Sequence, residues 1–408
     1  MSEVDLHRSI RATLMPGFVG PELPAWLADE LSAGLGAVCL FGTNVDTPEQ
    51  VLALTDAIHA ARPAAIVAID EEGGTVTRLH HRLGSPHPSA AYLGALGDER
   101  VTEAVGASIA GQLVAVGVDL NFAPDADVNS NPNNPVIGVR SFGADPALVA
   151  RHVAAYTRGL QGAGVAAVAK HFPGHGDTAT DSHRELPRID ADLSVLAGRE
   201  LVPFRAAVGA GTLGVMTSHI LVPALDPVSP ATMSAPVLDL LRDDLGFRGA
   251  IISDALDMAG ASGGRGIGEA AVLALAAGVD LLCLGTENTA DQLAGIVDHV
   301  AAAVRDGRLS SERVAEAAGR VQSLSTGIAA RCAWPAARVR PCRRRTPRRG
   351  SGSPAPCRPW WRPCCCSSTR RPTSPPATPS GASAPTWPRS STLTCPAPTA
   401  SPRRPWMR

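Results

Sequence analysis

Over its first 330 residues the chain alternates short apolar runs with longer stretches whose apolar positions recur every three to four residues. The runs predict strands over 12–15, 36–41, 65–69, 118–122, 165–169, 214–217, 250–253 and 279–284. The periodic stretches predict helices over 47–61, 99–116, 146–162, 193–210, 235–245 and 268–277. Thr47-Pro48 and Asp145-Pro146 read as helix starts, because proline suits the first helical position. Gly117, Gly164 and Gly278 stand where helices should end. Eight strands in strict alternation with helices over about 300 residues predict a (β/α)8 barrel, with a doubly wound open sheet as the other arrangement the pattern allows.

Charge changes the picture at the C-terminal end. The net charge of -1 hides a split: residues 331–408 hold sixteen Arg and no Lys, Asp or Glu, which leaves -17 for residues 1–330. The same 78 residues hold seventeen of the 35 Pro, seven of the nine Cys and five of the six Trp, with neither helical nor strand periodicity. That mixture is expected of an out-of-frame translation of a GC-rich gene, so the barrel is assigned to 1–330 and the tail is expected to be unstructured. An acidic body argues against nucleic acid as a partner, since phosphate backbones are bound through Lys and Arg. Cys39 and Cys283 lie inside apolar runs and indicate no disulfide framework. No stretch reaches the roughly eighteen apolar residues of a membrane span, and the N-terminus lacks a basic segment followed by an apolar one, so a cytoplasmic protein without membrane contacts is expected.

In a barrel of this type the polar residues that follow each strand converge at one mouth. Here they are Asp70, Asp125, Asp127, Lys170, His171, Ser218, His219 and Asp254. The densest stretch, V-A-K-H-F-P-G-H-G-D-T-A-T-D-S-H-R-E-L-P over 168–187, holds Lys170, which is the only lysine in the chain. A compact ammonium in an otherwise arginine-only chain implies a role a guanidinium cannot fill. No G-x-x-x-x-G-K-[ST] or G-x-G-x-x-G follows a strand, so the mouth fits a sugar or another small polar ligand better than a nucleotide phosphate. The histidine spacing matches no zinc pattern, and no metal is expected.

Four motifs in order carry a resemblance: I-D-E-E-G-G-T-V-T-R over 69–78, G-V-R-S-F-G over 138–143, K-H-F-P-G-H-G-D with D-S-H over 170–183, and I-I-S-D-A-L-D-M over 251–258. Together they resemble glycoside hydrolase family 3, and most of all its β-N-acetylglucosaminidase branch, over about residues 8–326. The resemblance implies a retaining, exo-acting enzyme that needs no cofactor and removes terminal N-acetyl-β-glucosamine from small carbohydrates such as muropeptides and other peptidoglycan fragments. It also implies that a histidine of the D-S-H loop replaces the acid/base carboxylate that a second domain supplies elsewhere in the family.

Retaining hydrolysis needs an ionised carboxylate as nucleophile and a proton donor for the leaving oxygen. Asp254, at the end of the I-I-S-D strand, is the expected nucleophile. His183 is the expected acid/base, since an imidazole titrates near working pH, and Asp181 is expected to hold its tautomer and raise its pKa. The resemblance places Asp70, Arg78, Arg140, Lys170 and His171 on the hydroxyls of the terminal sugar, with His175, Asp177 and His219 as supporting residues. A neutral imidazole also admits phosphate as acceptor in place of water, so a β-glycoside phosphorylase is an alternative activity, as is another β-glycosidase of the family. A sugar-binding barrel without catalysis is the alternative outside the enzymes.

Overall fold

A computed structural model of the chain describes residues 2–179 and 186–331. Among these, eight parallel strands close a barrel: β1 (Leu14–Met15), β2 (Ala37–Leu40), β3 (Ile66–Ile69), β4 (Leu120–Asn121), β5 (Ala166–Phe172), β6 (Gly214–Thr217), β7 (Ala250–Ile252) and β8 (Leu282–Cys283). Strands β2 to β7 pair in chain order, and β1 pairs with β8. The ring closes through Leu281 N–H to the Ile251 carbonyl at 3.1 Å and Cys39 N–H to the Pro16 carbonyl at 3.0 Å. Every strand therefore has a neighbour on both sides, which is the barrel and not the open sheet.

The local signals act as their chemistry requires. Thr47 caps the helix Pro48–Ala61 by accepting from Gln50 N–H, and Asp145 caps Pro146–Gly162 by accepting from Ala147 and Leu148 N–H. Gly117, Gly164 and Gly278 have φ of 70, 100 and 122°, as residues that turn the chain out of a helix do. Two stretches depart from the simple periodic reading: Leu196–Glu200 and Leu240–Asp244 are π-helical turns inside the helices expected over 193–210 and 235–245. β5 also runs on to Phe172, so Lys170 and His171 are strand residues rather than loop residues.

The register shows how the barrel builds its mouth. Going round the ring, a tilted strand places its neighbour's residue about one position further on, so inward side chains fall into rings contributed by alternate strands. Ala37, Leu120, Gly214 and Leu281 form one ring; Met15, Ala68, Val168 and Ile252 form the next; Cys39, Phe122, Met216 and Cys283 form the third. One step further, the odd strands contribute Gly17, Asp70, Lys170 and Asp254. The polar site is thus the fourth ring of the same barrel, with three polar side chains and one glycine. At Gly17 a Cβ would meet the Gly285 carbonyl and the Phe41 ring, both at 2.5 Å, so a side chain has no room in that quadrant.

The opposite end is closed by the helix Ser311–Arg331, whose Val321, Leu324 and Ile328 join the inner cluster. Burying three such side chains contributes on the order of 5–8 kcal/mol, comparable with the whole stability of a domain. A chain stopped at residue 330 is expected to keep its thermal midpoint and its activity, whereas one stopped at 320 is expected to fail to fold, as circular dichroism and aryl glycoside turnover would read. Loss of folding on removing 331–408 alone would mean that the tail is a structural element. Arg331, the first residue assigned to the tail, is the last of the helix Ser311–Arg331, and the rest of the tail, 332–408, lies outside the described residues. No helix among the described residues is long and apolar enough to cross a membrane.

Candidate active site

The fourth ring and the turns above it line a cavity of about 450 Å3, within the ~300–1,000 Å3 usual for small-molecule sites. Asp70, Arg78, Arg140, Lys170, His171 and Asp254 all face it, so six of the eight expected site residues are brought together. Asp181 and His183 lie outside the described residues. The floor is the third ring, Cys39, Phe122, Met216 and Cys283.

Lys170 is buried, and its Nζ lies 2.6 Å from Asp70 Oδ1 and 2.6 Å from Glu72 Oε1. Burial by itself would lower the Lys170 pKa, but the Asp70 and Glu72 carboxylates outweigh it and hold the ammonium charged. Glu72 is the hub on the anionic side. Its two oxygens also take Arg140 Nη2 at 2.8 Å and Nε at 3.0 Å, a bidentate pair. Burial opposes ionisation of Glu72, yet first Arg140 and then Lys170 keep its carboxyl well below the ordinary range. Asp70 behaves likewise: burial opposes its charge, and Lys170 and Arg78 restore it. Arg78 Nη2 reaches Asp70 Oδ2 at 3.4 Å, and the turn carrying Arg78 is held by Glu71, which accepts from Arg78 N–H at 2.8 Å and Leu79 N–H at 3.0 Å.

A second pair fixes His171. Its Nδ1 lies 2.7 Å from Asp127 Oδ2, and its Nε2 lies 3.3 Å from Arg140 Nη2. A guanidinium can only donate, so Nε2 is the acceptor and Nδ1 carries the proton, donated to Asp127. Asp127 Oδ1 accepts His175 N–H at 2.6 Å and His171 N–H at 3.2 Å. Burial disfavours its charge, but His171 and these donors bring its pKa down to about 2. Asp125 goes the other way, raised by burial and by the Asp127 charge. Asp125, Asp127 and His171 offer three ligand atoms within 4.8 Å of one another, but Arg140 Nε stands 3.8 Å from Asp125 Oδ2 and supplies the positive charge there.

Asp254 differs from the other carboxylates. Among the described residues its side chain accepts one hydrogen bond, from Ala255 N–H at 2.8 Å, and has no ion pair. The Ala255 carbonyl is in turn held by Nε2 of the buried His219 at 3.0 Å, which steadies the turn that presents Asp254. His175 lines the same cavity, with Nδ1 2.7 Å from Thr178 Oγ1. Asp177 instead pairs with Arg199 at 2.5 Å, beside the loop.

Glu72 was not expected as a site residue, and Asp127 was expected only on the rim. The sequence does hold a signal for Glu72: it stands two residues after Asp70, hence on the same side of an extended chain. Nothing local marks Asp127, whose partner lies 44 residues away.

Among the described residues, the mouth of this parallel barrel sets the ion-paired carboxylates Asp70 and Glu72 around a cavity that Asp254 faces without an ion pair of its own. Residues 21–324 match the family model described as the glycosyl hydrolase family 3 N terminal domain, and the chain belongs to that family. It is 36% identical over 334 residues to Beta-hexosaminidase A of Pseudoalteromonas piscicida, covering 75% of this chain and 56% of that protein. It is 36% identical over 321 residues to a Beta-hexosaminidase of Methylococcus capsulatus, covering 78% and 94%. Among solved structures, a glycoside hydrolase family 3 beta-N-acetylglucosaminidase from Paenibacillus sp. superposes with a TM-score of 0.75 at 39% identity, covering 79% of this chain and 62% of that one. A Beta-N-acetylhexosaminidase from Beutenbergia cavernae does so with a TM-score of 0.72 at 30% identity, covering 79% and 98%. The chain thus spans less than two thirds of the Pseudoalteromonas and Paenibacillus proteins, and nearly all of the Methylococcus and Beutenbergia ones.

Proposed function

We propose that the chain is a retaining, exo-acting β-N-acetylglucosaminidase that works through a glycosyl-enzyme on Asp254. The observation that supports this most is the charge pattern of the fourth ring. Asp70 is neutralised by Lys170 and Arg78, and Glu72 by Lys170 and Arg140, whereas Asp254 faces the same cavity without an ion pair among the described residues. A carboxylate neutralised by an ammonium is a poor nucleophile but a good acceptor for sugar hydroxyls; an unpaired one is suited to attack the anomeric carbon. In the first step Asp254 attacks that carbon while His183, held by Asp181, protonates the leaving oxygen. In the second, the neutral imidazole takes a proton from water as it attacks the same carbon and frees Asp254. Arg78, Arg140, Lys170, Asp70 and His171 hold the terminal sugar through both steps. The relatives named beta-hexosaminidase support an N-acetylhexosamine as that sugar, and peptidoglycan fragments are the source we assign.

The test is release of an aryl alcohol from an aryl N-acetyl-β-glucosaminide, beside the corresponding β-glucoside, with peptidoglycan fragments as the natural substrate. Release from the N-acetyl compound only, with free N-acetylglucosamine as product, is expected. Binding of the sugar without release would make the chain a sugar-binding barrel. Millimolar phosphate is the second arm, because an anionic acceptor meets no repulsion from a neutral imidazole; a sugar 1-phosphate product would turn the assignment to a phosphorylase. His183→Ala is expected to slow substrates with poor leaving groups by about 10^2–10^4-fold and activated aryl glycosides far less. Equal losses on both would end the acid/base role of His183.

A further inference from the structure

The floor of the cavity is rich in sulfur. Cys39 on β2, Met216 on β6 and Cys283 on β8 are three of the four members of the third ring, and all three line the cavity beneath Asp70 and Asp254. Cys39 and Cys283 are both free, buried thiols. They are ring neighbours, since β8 and β2 are consecutive even strands of the closed barrel, and both side chains belong to one buried cluster and line the same cavity floor. Burial, and then the neighbouring Cys283, push the Cys39 thiol well above its ordinary range, so at neutral pH it is protonated and slow to alkylate or oxidise.

What this pair can do follows from the spacing of the strands that carry it. With β1 between them, the two backbones stand about two strand spacings apart, roughly 9–10 Å, beyond the ~7 Å that a disulfide can span without backbone movement. Two thiols that share one ring of the barrel but cannot be joined directly can be joined through an atom placed between them. The donor set decides which atom. Thiolate and thioether sulfur select soft cations, whereas a closed zinc site asks for four ligands in a tetrahedron, and among the described residues this floor offers two thiols and one thioether.

We propose that Cys39 and Cys283 form a two-sulfur site for a soft monovalent d10 cation of the copper(I) or silver(I) class, with Met216 in the same ring as the third sulfur. Binding exchanges the two thiol protons for the metal ion, releases both protons to solvent and changes no oxidation state. The bound ion occupies the floor directly under the ring that holds Asp70, Lys170 and Asp254, so a chain with the site filled has a shallower cavity. The site rests on the barrel register and not on the reaction assigned above.

The experiment is calorimetric titration of the full chain with silver nitrate in chloride-free buffer. The seven cysteines of residues 331–408 are the same in every variant, so the comparison is a difference. The wild-type chain is expected to bind one silver ion more than the Cys39→Ala/Cys283→Ala double variant. Each single variant is expected to weaken that ion by more than the ~10–100-fold lost when a partner outside the ligand shell is removed, because both sulfurs are needed. Cys39→Ser and Cys283→Ser form a second pair, which keeps a hydrogen bond but offers no soft ligand, should the alanine variants lose their thermal midpoint. An equal silver count in wild type and double variant, or a single variant that keeps the tight ion, would overturn the site. Free N-acetylglucosamine is expected to slow silver entry; this readout depends on sugar binding, whereas the silver count does not.

Discussion

Asp254→Asn is expected to lower turnover of an aryl N-acetyl-β-glucosaminide by at least about 10^3-fold while leaving the fold intact. The two halves of that expectation have separate physical grounds. Turnover falls because an amide oxygen carries no charge and cannot displace the leaving group to form the glycosyl-enzyme. The fold is spared because the one hydrogen bond the carboxylate accepts among the described residues, from Ala255 N–H at 2.8 Å, can be accepted equally by the Asn oxygen, and no ion pair among those residues is broken. A thermal midpoint within a degree or two of wild type is the control. A 2-fluoro or 5-fluoro glycosyl donor should label Asp254, read by mass spectrometry of the digested protein. A label on Asp70 or Glu72 would sink the assignment, and with it the argument that the carboxylate lacking a cation is the nucleophile.

The second large effect concerns Glu72, the anion shared by Lys170 and Arg140. Glu72→Ala leaves two buried cations facing each other, offset among the described residues by Asp70 on Lys170 and by the more distant Asp125 and Asp127 on Arg140. Breaking a buried pair by removing one partner costs about 3–5 kcal/mol, which for a barrel of this size lowers the thermal midpoint by roughly 4–7 °C. Glu72→Gln keeps an acceptor for one donor and loses the charge, so it should fall between. Arg78→Ala is the comparison, since Arg78 is a third exposed and its pair with Asp70 is longer at 3.4 Å; its loss should cost under about 1 kcal/mol but raise KM. The pH dependence has a definite sign. The folded-state pKa of Glu72 is depressed below its unfolded value of about 4.3, so its contribution is fully present above that pH and is lost as the pH falls towards the folded value. In Glu72→Gln that acid-side loss should shrink, and an unchanged acid limb would show that Arg140 and Lys170 do not depend on Glu72.

The alternation of apolar runs and periodic stretches was enough to predict the eight strands, the caps at Thr47 and Asp145 and the barrel itself, because these depend on neighbours a few residues apart. The candidate ring was legible for a related reason: Asp70, Lys170 and Asp254 each stand where an inward position of a strand emerges into the mouth, and the strand period of two fixes that side locally. The pairing among them was not legible. Lys170 meets Asp70 across 100 residues, Arg140 meets Glu72 across 68, and His171 finds Asp127 only because β4 and β5 lie side by side. Which carboxylates are neutralised depends on those distances, so the distinction between Glu72, which is ion-paired, and Asp254, which is not among the described residues, belongs to the tertiary structure. The same holds for Ser311–Arg331. Its sequence makes it an amphipathic helix, but only the closed ring supplies the opening that Val321, Leu324 and Ile328 fill. Cys39 and Cys283, 244 positions apart and read as ordinary apolar residues, become neighbours because barrel closure places β8 one strand away from β2.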